Sequence, residues 1–99
     1  MNINKTLENG KITFALDGRL DKTTSQQLQD VLVPAFDETN EVELDCTQLA
    51  YVSSAGLRVL LLGVKTAKSK NASMTVSSVS DEIMEVLEMT GFTEILTII

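Results

Sequence analysis

Tyr51-Val52-Ser53-Ser54-Ala55-Gly56-Leu57-Arg58-Val59-Leu60-Leu61 joins two different hydrophobic patterns. Upstream, Val42 to Val52 reads as a short apolar strand, Val42 to Cys46, followed by a loop. Downstream, Leu57 to Ala67 places apolar residues at helical spacing. Hydroxyl groups at such a junction meet the free backbone N–H groups of a helix's first turn. Serine is a favoured N-cap, so Ser53 and Ser54 are both candidates for plain capping.

Working outward, strands and helices alternate. Ile12, Phe14 and Leu16 alternate with Lys11, Thr13, Ala15 and Asp17, the pattern of a half-buried strand. Asn9-Gly10 is a hairpin signal that pairs Ile3 to Glu8 with it. Gly18 is expected to break the strand. Thr24-Ser25-Gln26-Gln27 matches a capping box, and Leu28, Val31, Leu32, Ala35 and Phe36 then form one helical face. Pro34 inside that pattern predicts a kink or an irregular last turn. Leu57 to Ser69 is the second helix and Met74 to Ser77 the next strand. Ser80 caps a third helix, with Asp81 and Glu82 in its first turn. The core face of that helix is Ile83, Val86, Leu87 and Thr90, Gly91 ends it, and Ile95 to Ile99 makes a last strand. The order β-β-α-β-α-β-α-β predicts an α/β fold: a mixed sheet of about four to five strands with about three to four helices packed on it.

Composition narrows function. Ninety-nine residues make one domain, able to bury roughly 60–70% of the unfolded chain's surface. Fourteen acidic residues against eight basic ones give a net charge of −6. That balance disfavours nucleic acid and anionic membranes, and by itself suits a partner with a basic patch. The longest apolar run, Val59 to Leu62, is four residues, far short of a membrane span. The amino terminus lacks the apolar centre of a signal peptide. Cys46 is alone, which excludes an internal disulfide and suits a reducing cytoplasm. With no histidine, Ser-His and Cys-His nucleophiles cannot be built, and an ordinary zinc site is excluded. Gly56 to Gly63 followed by Val64-Lys65 departs from a phosphate loop in spacing and in its helical pattern. No cofactor and no enzymatic activity are expected.

Four segments carry a resemblance. Tyr51 to Leu57 is similar to the Asp-Ser-Ser/Thr-Gly-Leu motif of STAS domains of the anti-sigma factor antagonist family. Gly18-Arg19-Leu20-Asp21 resembles that family's Gly-Glu-Leu/Ile-Asp, and Leu32-Val33-Pro34 matches a segment of some members. Val86 to Phe92 resembles its closing helix and terminal glycine. The resemblance covers about residues 3 to 97. One departure stands out: Ser53 occupies the place of the acidic residue before the acceptor serine.

The resemblance implies a STAS-type single domain over residues 1–99, and so small and acidic a chain is expected to be monomeric when free. It implies phosphorylation at Ser54, with Ser53 as the alternative acceptor. The unmodified protein would bind an anti-sigma factor that is also a serine kinase, freeing a sigma factor, and a separate serine phosphatase would reset the switch. Asp21, Ser53, Ser54, Gly56, Leu57, Arg58 and Leu62 are the expected partner-binding residues. Arg58, Leu62, Lys65 and Ser69 project from one side of the second helix, with Leu57, Leu60, Val64 and Ala67 opposite. Two other classes stay open. One is a constitutive STAS subunit of a transporter, lipid-trafficking or stress-sensing assembly, and the other is nucleotide binding.

Overall fold

A computed structural model describes all 99 residues, Met1 to Ile99. The elements are β1 (Asn2–Glu8), β2 (Lys11–Leu20), α1 (Ser25–Glu38), β3 (Glu41–Val52) and α2 (Ser54–Ser69). They continue with β4 (Ser73–Ser77), α3 (Asp81–Met89), a 3-10 turn (Phe92–Glu94) and β5 (Thr97–Ile98). The five strands lie in chain order in one sheet. β1 runs antiparallel to β2, and the remaining neighbours are parallel. The mixed sheet and its helices match the expected α/β architecture.

The hairpin forms where Asn9-Gly10 predicts it, pairing Glu8 with Lys11. Both turn residues have positive φ, 54° and 79°, the backbone that matches strand twist in a two-residue turn. Along β2 and β3, Ile12, Phe14, Leu16, Val42, Leu44 and Cys46 are buried, while Thr13, Ala15, Glu43 and Asp45 are half-buried. The buried set joins Leu28, Leu32, Ala35 and Phe36 of α1, the apolar face of α2, and Ile83 and Leu87 of α3 in a single core cluster of 23 residues. Each fully buried Leu or Phe contributes roughly 1.5–3 kcal/mol, so these anchors, more than helix propensity, hold the helices down.

Several expectations change. Gly18 does not end β2, which continues to Leu20 with Gly18 at φ 118°. Nor is the stretch after Cys46 a loop: β3 pairs with β2 as far as Val52, opposite Leu20. The pairing shifts register between Ala15 and Asp17 and again between Gly18 and Arg19. The extra residues of β3 are absorbed there, which breaks the alternation that would reveal a strand.

The expected capping box is absent as well. Thr24 itself has helical backbone angles and makes no side-chain cap bond. Its hydroxyl donates to the Arg19 carbonyl at 2.7 Å and accepts from the Asp21 N–H at 2.8 Å. Val31 is exposed rather than on the core face, because Leu28, Leu32, Ala35 and Phe36 fill that stripe. α1 runs unbroken through Pro34, which is exposed, so the carbonyl left without a donor lies toward water.

α3 begins as expected, with the Ser80 hydroxyl accepting from the Ile83 N–H at 3.2 Å, and Gly91 closes it at φ 80°. Thr90 is exposed and Val86 half-buried, so the core face is narrower than expected. The final strand shrinks to Thr97–Ile98 because the 3-10 turn takes Phe92 to Glu94. No helix is long and apolar enough to cross a membrane.

Candidate functional site

The bulges let β2 and β3 finish level, with Leu20 opposite Val52. Asp21 and Ser53 are therefore the first residues beyond the two strand ends; α2 starts directly after Ser53, and α1 starts at Ser25 after a turn that Asp21 opens. The Ser53 N–H donates to the Leu20 carbonyl at 2.8 Å, fixing the start of α2 against the end of β2.

The structure divides the two serines. Ser53 is the N-cap: its backbone is extended, and its hydroxyl accepts from the Gly56 N–H at 3.2 Å. Its carbonyl opens the helical ladder by accepting from the Leu57 N–H at 2.9 Å. Ser54 is the first helical residue, exposed, with its hydroxyl outside the cap. One hydroxyl is thus committed to backbone and the next is presented to solvent at the positive end of the helix dipole.

Gly56 and Gly63 are explained by packing. A Cβ on Gly56 would lie 2.7 Å from Leu20 Cγ and 3.0 Å from the Leu20 carbonyl oxygen. A Cβ on Gly63 would meet Met74 Sδ at 2.7 Å and Leu32 Cδ2 at 2.8 Å. Seven residues are nearly two helical turns, so both glycines fall on one face and let α2 sit close to the sheet and to α1. This is a packing seam, and the glycine spacing serves no phosphate-binding loop. Leu57 is buried beside it. Gly56 and Leu57 hold the site from inside, whereas Ser54 and Arg58 are exposed on its outer side and Leu62 is half-buried.

Asp21 has a local task. Its Oδ1 accepts from the Thr23 hydroxyl at 2.8 Å, the Thr23 N–H at 3.0 Å and the Thr24 N–H at 3.2 Å. The Thr23 hydroxyl first, then the Thr24 N–H, hold its carboxyl below the usual range, so it stays ionised. A neighbouring feature is not legible from local sequence. Arg19 lies over the ring of Tyr51, 4.1 Å from its centroid, where β2 and β3 pair these two residues. The lone tyrosine of the chain and one of its two arginines were visible signals, but without the bulged register nothing placed them together.

The sheet is parallel with one antiparallel edge, an exposed serine opens the helix after the third strand, and a carboxylate stands just beyond the second. The chain belongs to the STAS-domain anti-sigma factor antagonist family. The family model described as "Mlab, STAS domain" matches residues 3–97. BtrV of Bordetella bronchiseptica, assigned as an anti-sigma factor antagonist, is 32% identical over 87 residues, covering 87% of this chain and 75% of its own. The anti-sigma-B factor antagonist of Staphylococcus aureus is 26% identical over 97 residues, 97% of this chain and 90% of its own. Among solved structures, the Bacillus cell fate determinant SpoIIAA in its phosphorylated form superposes with a TM-score of 0.77 at 13% identity, covering 99% and 91% of the two chains. At that identity the superposition shows the shared fold alone.

Proposed function

We propose that this chain is an anti-sigma factor antagonist controlled by phosphorylation at Ser54. In its unmodified form it binds an anti-sigma factor with serine kinase activity in the cytoplasm and so frees a sigma factor. Phosphorylation by that kinase ends the complex, and a serine phosphatase restores it. The observation that carries this reading is the separation of the serines: Ser53 supplies the cap, and Ser54 offers an uncommitted, exposed hydroxyl one residue later.

The physical chemistry supports it. Phosphorylation adds about −1.5 to −2 charges and three acceptor oxygens at one point. The first turn of α2 can receive that anion without unfolding, because its N–H groups point outward there. A partner surface fitted to a neutral hydroxyl must instead desolvate or repel the charge. Moving a complex from nearly all bound to nearly all free takes roughly 5.5 kcal/mol of differential binding, a scale that one phosphate in a closed contact can approach. In this reading Asp21, Ser53, Arg58 and Leu62 border the contact, and Gly56 and Leu57 position it.

The test is a pull-down from the native cytoplasm with wild type, Ser54→Ala and Ser54→Asp, each captured protein identified by mass spectrometry. A serine kinase held by wild type and Ser54→Ala and lost with Ser54→Asp is the expected result. Equal capture of one partner by all three variants would replace this reading with a constitutive STAS assembly subunit.

A further inference from the structure

The net charge of −6 hides a strongly uneven distribution. From Cys46 to Ser80 there is no Asp or Glu, and that stretch carries Arg58, Lys65, Lys68 and Lys70; all 14 acidic residues lie outside it. Lys70 is neutralised by Asp37 at 2.5 Å. Arg58, Lys65 and Lys68 are exposed and take part in none of the ion pairs of the fold. At 3.6 residues per turn, Ser54, Arg58, Leu61, Leu62, Lys65 and Lys68 fall within an arc of about 120° on α2. Leu61 and Leu62 are half-buried between the cations. The outward side of α2 is therefore a positively charged stripe with a partly apolar middle, starting at Ser54, on an otherwise acidic protein.

We infer that this face of α2 docks an acidic protein surface, opposite in sign to the partner that net charge alone suggests. The inference deepens the proposed switch and rests on it for the role of Ser54. Complementary charge across such a contact speeds association and fixes orientation, and its rim is salt-sensitive. Three unpaired cations on one helix are too few for nucleic acid, where binding is built from many phosphate contacts. The two half-buried leucines suit the centre of a protein contact. Phosphate on Ser54 would place negative charge one helical turn before Arg58, the spacing and order at which an acidic group best pairs with a basic one. The modification would then both repel an acidic partner and occupy the first cation of the stripe.

The experiment is an NMR titration of the isotope-labelled full chain with a twelve-residue peptide of Asp and Glu around a central Leu. Duplex DNA and phosphatidylserine vesicles are titrated in parallel. Amide shifts confined to α2 are expected, with affinity falling at least fivefold in the Lys65→Glu/Lys68→Glu variant and again in high salt. Phosphorylated Ser54 protein should lose a similar factor, and Arg58→Gln should weaken the peptide without abolishing the fold. Shifts on another face, no dependence on Lys65 and Lys68, or tighter binding of DNA or vesicles would overturn the inference. Binding of the peptide uses the unmodified protein, so its failure leaves the pull-down result standing. Conversely, if Ser54→Asp changes nothing in the pull-down while the peptide still binds α2, the switch fails and the docking face remains.

Discussion

Ser53 and Leu20, 33 positions apart in the chain, are joined by a 2.8 Å hydrogen bond from the Ser53 N–H to the Leu20 carbonyl. Gly56 packs against the same Leu20, so this residue supports the start of α2 from two directions. The exposed Ser54 inherits its position from that support.

Ser53→Ala removes the hydroxyl that accepts from Gly56. Loss of an N-cap costs about 1 kcal/mol, and for a domain of this size that lowers Tm by roughly 4–8 °C. Ser54→Ala removes an exposed hydroxyl that caps nothing and should leave the unfolding free energy within about 0.5 kcal/mol of wild type. Thermal unfolding followed by circular dichroism decides the point. Equal losses at the two positions would refute the division of roles.

Gly56→Ala should be the more damaging of the two glycine substitutions. Its Cβ meets the Leu20 carbonyl oxygen as well as the fully buried Leu20 side chain. Backbone cannot rotate out of the way, and overpacking of this kind costs roughly 1–3 kcal/mol, more than the helix propensity gained from Ala. At Gly63 the obstacles are the ends of the Met74 and Leu32 side chains, of which Met74 is the more adaptable. Urea unfolding should place the Gly63→Ala midpoint between those of wild type and Gly56→Ala.

Burial, with the nearby Asp45 charge, pushes the Cys46 thiol up to about 12. The folded protein should resist thiol reagents at pH 8 and react at once when denatured, as a thiol-release assay would show. The sign of the linked stability follows. Above pH 9 the unfolded thiol ionises while the folded one does not, so stability present below pH 9 is lost progressively toward pH 12. Cys46→Ala should remove that part of the alkaline slope.

Asp21 predicts the opposite behaviour in acid. Its depressed pKa means that stability is present above the unfolded value, 3.8 in a free side chain, and is lost as pH falls through the folded value. A carboxyl-detected NMR titration should give Asp21 a midpoint below 3.8. Thr23→Ala should raise it, because the Thr23 hydroxyl is the largest of the groups that lower it.

Elements whose signals are local were legible in the amino-acid order. The Asn9-Gly10 hairpin, the Ser80 cap, the Gly91 stop and the apolar face of α2 follow from backbone conformation and side-chain period within a few residues. The motif register also singled out Ser54 and Asp21. The tertiary structure decided what depends on pairing between distant segments. Bulges erased the alternation of β3 beyond Cys46, so the strand that carries Tyr51 and Val52 to the site was unreadable from periodicity. Asp21 took over the turn from the expected Thr24 cap because the Thr24 hydroxyl was drawn to the Arg19 carbonyl. The choice of Ser53 as cap and Ser54 as the free hydroxyl was likewise tertiary. Either serine satisfies the capping rule, and only the bond from Ser53 to Leu20 sets which one begins the helix.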